Sequence, residues 1–219
     1  MNKPISKLQF ITLQDGTKTP EQQTIEYCAG GGSWVQLRLK DLSEEEITAE
    51  AVKCLKVCIN SEATFIVNDH VHIAEKIDAD GVHLGKNDIS VSEARAILGP
   101  VKIIGATANT FEDVKRLSEE GADYIGLGPY KFTTTKKNLS ATLGAEGYQS
   151  IIEQCKAANI TTPIIAIGGI TPDDLPEVFA TGIHGVALSS YIAEHNNIGL
   201  ETLELLKQIG KLHSLNFRK

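Results

Sequence analysis

Eight short runs rich in Ile, Val, Leu and Ala recur along this 219-residue chain, separated by stretches with the periodicity of amphipathic helices. The runs are LQFITL (8–13), SWVQLRL (33–39), TFIVND (64–69), GVHLG (81–85), KIIGAT (102–107), YIGLGP (124–129), PIIAIGG (163–169) and GVALSS (185–190). Near-continuous apolar runs of this length are what strands covered on both faces require. The segments between them, such as SEEEITAEAVKCLKVC (43–58) and TFEDVKRLSEE (110–120), open on Ser or Thr with acids in the first turn, as helix N-termini do. Strict strand–helix alternation implies parallel strands joined by right-handed crossovers. Eight such units are the number that closes a sheet on itself. The expected fold class is therefore α/β, a (β/α)8 TIM barrel made as a single domain over residues 1–219, with its core at about 8–212 and a last helix near 199–212. An open doubly wound sheet is the alternative, but it would break the rhythm or carry a Gly-rich turn after the first strand, and neither is present.

A weak internal repeat fits the barrel. DADGVHLG (78–85), GADYIGLG (121–128) and GIHGVALS (182–189) share one pattern and fall on strands four, six and eight. Aromatic residues are only 5% of the chain against 42% hydrophobic, so the core must be mainly aliphatic. The net charge of −7 and the lack of a basic stripe argue against a nucleic-acid partner. They do not exclude anionic small molecules, because charges more than roughly 10 Å away are largely screened. No apolar run approaches the ~20 residues of a membrane span. Cys28, Cys54, Cys58 and Cys155 have no framework spacing; Cys54 and Cys58 share a helical face and read as small buried side chains rather than a metal pair. Reduced thiols without a secretory-type leader point to a cytoplasmic protein. The oligomeric state stays open, a homo-oligomer being compatible with the sequence.

In a barrel, functional residues gather at the C-terminal strand ends. In QLRLK, alternation sets Gln36, Arg38 and Lys40 on one side and Val35, Leu37 and Leu39 on the other. Two cations at a barrel mouth suit an anion, although a salt-bridged strand end would look the same. Asn68 and Asp69 end the third run, His83 lies on the fourth and Asp88 follows it. Carboxylates on adjacent strand ends, beside cations, suit Mg²⁺ held together with a diphosphate. The segment PYKFTTTKKNLSATLG (129–144) supplies hydroxyls, Lys136 and Lys137, either for a phosphate or as a solvated polar loop. Gly168–Gly169 and Ser189–Ser190 occupy the usual place of a barrel phosphate cradle. His70 and His72 open a helix two residues apart, share no face, and are not expected to bind metal. His83 is expected inward, whereas His184, His195 and His213 read as surface positions.

Taken in order, QLRLK, FIVND, DADGVHLGKND, IIGAT, GADYIGLGP followed by TTTKK, IIAIGGI and GVALSSYI resemble the thiamine phosphate synthase family over nearly the whole chain. The resemblance implies a transferase that joins hydroxymethylpyrimidine diphosphate to a thiazole phosphate, using Mg²⁺ and releasing pyrophosphate. It implies contacts to the pyrimidine diphosphate from Gln36, Leu37, Arg38, Leu39, Lys40, Asn68, Thr107 and Lys136, with Arg38 and Lys136 serving catalysis. It places the thiazole phosphate against Thr133, Thr134, Thr135, Gly169, Ser189 and Ser190, and Mg²⁺ on Asp69 and Asp88. The sequence departs from the family's common pattern at His70 and His72 (often Arg and Asp), Lys86 (usually Gln), Thr107 (usually Ser) and in the proline-free TTT. A thiazole tautomerase-like barrel would not need the diphosphate residues kept here. A non-catalytic phosphate-ligand sensor would tolerate loss of the acids, and both are present. A sugar-phosphate epimerase or aldolase would want an acid/base pair or a Schiff-base Lys on a strand interior, and no such Lys stands out.

Overall fold

The computed structural model describes residues 4–14, 16–132 and 141–216. Eight parallel strands form one closed barrel: β1 (Leu8–Ile11), β2 (Trp34–Leu37), β3 (Thr64–Asn68), β4 (Gly81–Leu84), β5 (Ile103–Ala108), β6 (Tyr124–Leu127), β7 (Ile164–Ile167) and β8 (Gly185–Leu188). Each pairs with its sequence neighbour and β8 returns to β1, so the (β/α)8 expectation holds. Helices α1 (Pro20–Ala29), α2 (Glu44–Asn60), α3 (Val71–Lys76), α4 (Val91–Leu98), α5 (Phe111–Glu119), α6 (Gly144–Ala157), α7 (Leu175–Ala180), α8 (Ser190–Ala193) and α9 (Ile198–Asn216) alternate with the strands, α8 and α9 both following β8. Thr19, Ser43, Ser90 and Thr110 each close a capping box at the start of α1, α2, α4 and α5. Among the described residues, no helix is long and apolar enough to cross a membrane.

Period-two alternation divides the core in two. Inward residues Ile11, Trp34, Ile66, Ile103, Tyr124, Ile165 and Ala187 fill the barrel. Outward residues such as Phe10, Val35, Leu37, Phe65 and Ile104 pack with the helices. Cys54 and Cys58 are fully buried in that outer layer, as expected of small apolar side chains. Gly105 lies opposite Tyr124 across the β5–β6 pair, and a Cβ there would overlap the phenol ring. The glycine leaves room for the Tyr124 ring in the barrel interior.

The internal repeat has a physical role. In two units the residue before the strand is an aspartate whose carboxylate accepts the N–H of the second residue of a neighbouring strand: Asp80 from Phe65 at 2.8 Å and Asp123 from Ile104 at 2.7 Å. In the third unit His184 stands there instead and donates from Nε2 to the Ile5 carbonyl at 2.8 Å. His184 is thus half-buried and bonded rather than the surface position expected.

Gly105→Ala should lower stability by about 2 kcal/mol, as overpacking does in a filled core. Urea unfolding checks this; a midpoint equal to the parent's would contradict the packing described.

Candidate active site

The polar inward residues lie toward the C-terminal rim of β2 to β5. Gln36 and Asn68 point into the barrel, and the Gln36 amide nitrogen donates to Asn68 Oδ1 at 2.8 Å. Gln36 is 2% exposed, and its Oε1 has no hydrogen-bond partner among the described residues. A buried acceptor left unpaired costs free energy, which a ligand donor would recover. β2 ends at Leu37, earlier than the sequence run suggested, so Arg38 and Lys40 lie just beyond it. Arg38 is half-buried and its N–H donates to the Thr12 hydroxyl at 3.1 Å. Leu37 and Leu39 send their side chains into the outer core, so only their backbone groups can face a ligand in the mouth.

Behind Thr107 runs a buried polar chain. The Gln9 amide nitrogen donates to the Tyr124 hydroxyl at 3.1 Å, and that hydroxyl lies 3.0 Å from His83 Nδ1. His83 Nε2 lies 3.0 Å from the Thr107 hydroxyl. An amide N–H₂ only donates, so the Tyr124 oxygen accepts from Gln9 and its proton goes to Nδ1. Nε2 then carries the ring proton and donates to Thr107, whose own proton remains for another acceptor. Burial pushes the Tyr124 hydroxyl well above its ordinary pKa, which keeps it a neutral donor.

Asp69 and Asp88 meet over Gly85. Asp69 follows β3 with φ of 64°, a left-handed conformation that Asp tolerates better than most residues. Its N–H donates to the His83 carbonyl at 2.8 Å, tying it to β4. Asp88 Oδ2 accepts the Gly85 N–H at 2.7 Å. A Cβ on Gly85 would lie 3.1 Å from Asp88 Oδ2 and 3.8 Å from Asp69 Oδ1, so both carboxylates converge on one small space. The Lys40 ammonium is bonded to Asp69 Oδ2. Burial and the neighbouring Asp69 carboxylate push Asp88 up to about 6. Burial works against ionising Asp69 too, but Lys40 and the bond from Asp88 outweigh it and hold Asp69 below the ordinary range. Two carboxylates forced together, one of them reluctant to ionise, are a donor set that a hard divalent cation relieves. Among the described residues, no group of three or more His, Cys, Asp or Glu could hold a metal. A pair fits Mg²⁺, which takes one or two carboxylates and completes its shell with water and phosphate oxygens.

Lys86 turns away from this pair and bonds Asp113 Oδ2 at 2.7 Å, linking the β4–α4 loop to the start of α5. His70 precedes α3 without a side-chain cap, and exposed His72 lies 3.9 Å from Glu75. Gly168 and Gly169 follow β7 with φ of 99° and 67°. The Lys131 N–H donates to the Gly168 carbonyl at 2.9 Å, and a Cβ on Gly169 would lie 2.9 Å from the Phe132 carbonyl oxygen. These glycines therefore accommodate the chain leaving β6 as well as opening the rim. Lys131 is also bonded to Asp174, which accepts the Thr171 N–H at 2.9 Å. Ser189 and Ser190, half-buried, mark the turn from β8 into α8. Thr133, Thr134, Thr135 and Lys136 lie outside the described residues. Sequence reasoning missed Gln9, Thr12 and Tyr124. The available signal was a glycine, Gly105, in register with the Tyr124 of a neighbouring inward position.

The model of the family described as thiamine monophosphate synthase matches residues 8–192. The chain belongs to that family. It is 51% identical over 200 residues to the thiamine-phosphate synthase of Phocaeicola vulgatus, covering 91% of this chain and 96% of that protein. With the thiamine-phosphate synthase of Bacteroides thetaiotaomicron it shares 48% identity over 199 residues, covering 91% and 95%. The solved structure of thiamine phosphate pyrophosphorylase from Pyrococcus furiosus superposes with a TM-score of 0.84 at 30% identity, covering 94% of this chain and 96% of that one.

The Asp174 cluster makes a pH-dependent contribution. Burial opposes ionisation of Asp174, but Lys131 and the Thr171 N–H and hydroxyl outweigh it and depress its pKa. A depressed carboxylate stabilises the fold above its unfolded pKa of about 3.9 and loses that contribution as pH falls through the folded value. Asp174→Ala should cost about 1 kcal/mol at neutral pH, as loss of such hydrogen bonds does, with the gap to the parent closing in acid. A gap constant from pH 7 to below that window in urea unfolding would contradict this.

Proposed function

We propose that this barrel condenses 4-amino-2-methyl-5-(diphosphooxymethyl)pyrimidine with a thiazole phosphate, giving thiamine phosphate and pyrophosphate. The chain is a transferase of thiamine biosynthesis, as its family membership and its similarity to named synthases support. The observation that carries the assignment of the pyrimidine site is the unpaired, buried Gln36 Oε1 beside Asn68, with the carboxylate pair close by on the same rim. A ring amino group is the donor that Gln36 Oε1 lacks. Thr107, with its oxygen engaged by His83, offers its proton to a ring nitrogen or a diphosphate oxygen.

Asp69 and Asp88 would hold Mg²⁺, which when bound neutralises diphosphate charge and makes the diphosphate a better leaving group. We assign Arg38 and Lys40, which follow β2, to the same charge, and the family resemblance adds Lys136 from the segment after β6, outside the described residues. Lys40 bridges the two functions, since it is bonded to Asp69 and reaches the rim. When the carbon–oxygen bond breaks, the pyrimidine-methyl cation is stabilised by its ring amino group, which Gln36 orients. The thiazole nitrogen then attacks that carbon. No side-chain nucleophile is needed; the barrel aligns two rings and limits water. Gly169, Ser189 and Ser190, with Thr133, Thr134 and Thr135, are assigned to the thiazole phosphate, and small phosphorylated molecules are the substrates. We assign the protein to the cytoplasm on its four free cysteines.

Purified protein with both substrates and Mg²⁺ should release pyrophosphate and form thiamine phosphate in equal amounts. Intact substrates after incubation would overturn the reading. Asp88→Asn should slow turnover by about a hundredfold or more, roughly 2.7 kcal/mol of barrel-imposed barrier lowering, with an unchanged unfolding midpoint. Parent-like turnover at limiting Mg²⁺ would contradict the metal assignment.

A further inference from the structure

At the opposite end of the barrel from the strand-end rim, a cavity of about 440 Å³ opens between the end of α6, the turn before β7 and the turn before β8. Its lining includes Lys7, Lys156, His184 and His213 and, among the described residues, no Asp or Glu. That composition runs against the chain as a whole, in which 28 acidic residues outnumber 21 Lys and Arg. The repeat explains part of it. Where units four and six place Asp80 and Asp123, unit eight places His184, so a base occupies the position that is acidic in its relatives.

His184 is held as a neutral ring. Its Nε2 donates to the Ile5 carbonyl at 2.8 Å, leaving Nδ1 to accept from Lys7 Nζ at 3.4 Å. Burial lowers the pKa of His184, and the nearby Lys7 and His213 push the same way against the Ile5 bond. Burial also lowers that of Lys7, a penalty that an anion in the cavity would offset. Lys7 is thereby oriented by one bond, with its remaining N–H groups available. Lys156 Nζ lies 3.6 Å from a Cβ placed on Gly182, which sets this second ammonium at the turn before β8. Lys156 stands in the last turn of α6, where a cation complements the carbonyl end of the helix dipole. Lys7 and His213 come in addition to that. The other walls are apolar, with Ile152 and Phe179 among them.

We propose that this cavity is a second ligand site, for a small organic phosphate whose anionic group rests on Lys7 and Lys156, with His213 beside it, and whose apolar body lies against Ile152 and Phe179. A ligand here is separated from the strand-end rim by the filled barrel interior, so it does not compete with substrate. Two lysines and an imidazole suit a phosphate dianion as point charges and do not demand the planar fork that a carboxylate prefers from arginine.

Phenyl phosphate is the probe, followed by the backbone amide NMR signals of Thr161, Thr162, Gly182 and His184. They should shift saturably. Lys156→Ala, at an exposed position, should weaken that binding about tenfold, equivalent to about 1.4 kcal/mol, with an unchanged unfolding midpoint. Inorganic phosphate should move the same signals at higher concentration, and phenol should leave them in place. Shifts confined to Gly169, Ser189 and Ser190 would overturn the proposal, as would shifts before β7 and β8 that Lys156→Ala leaves unchanged. Equal affinity for phenyl phosphate and inorganic phosphate would remove the apolar half of the site.

Discussion

A parallel sheet closed on itself sends all its C-terminal strand ends to one rim, and the chemistry of this protein depends on that constraint. Gln36, Asn68, His83 and Thr107 come from four consecutive strands and are separated by long stretches of sequence. Parallel pairing of β2 to β5 brings them together on inward positions of neighbouring strands. Lower in the barrel the inward residues are mainly aliphatic, with Trp34 and Tyr124 filling the space, so polar groups are concentrated where a ligand can pair with them.

The rim is electrostatically unfinished in a specific way. Asp69 and Asp88 are held close by backbone bonds from separate loops, and Lys40 compensates only one of them well. Burial and like charge leave Asp88 with a pKa of about 6, while Asp69 stays ionised. Diphosphate brings negative charge to the cationic side of this cluster, and a divalent cation brings positive charge to the acidic side. In the proposed function each would make the other's binding more favourable, the linkage expected when two ligands neutralise one another in a partly buried site.

Much of this was legible in the sequence because it follows from periodicity. Period-two alternation put Gln36 inward and Leu37 outward, and the strand-end rule picked out Asn68, Asp69 and Asp88. The helix starts at Ser43 and Thr110 were readable from a hydroxyl residue followed by acids in the first turn. Pairings between distant segments were not readable. Lys86 carries the same charge whether it faces the metal pair or Asp113, and only the path of the β4–α4 loop decides for Asp113. Tyr124 reads as one more strand aromatic until Gly105 is seen beside it. His184 looked exposed because its partners, Ile5 and Lys7, are almost the whole chain away.

The interdependence of cation and diphosphate at Asp69 and Asp88 is tested most directly by calorimetric titration of pyrophosphate into the protein with and without Mg²⁺, repeated on Asp69→Asn. With the parent we expect much tighter pyrophosphate binding when Mg²⁺ is present, and with Asp69→Asn most of that difference should vanish. Pyrophosphate binding that is indifferent to Mg²⁺ in the parent, or equally Mg²⁺-dependent in the variant, would contradict a site built on the carboxylate pair.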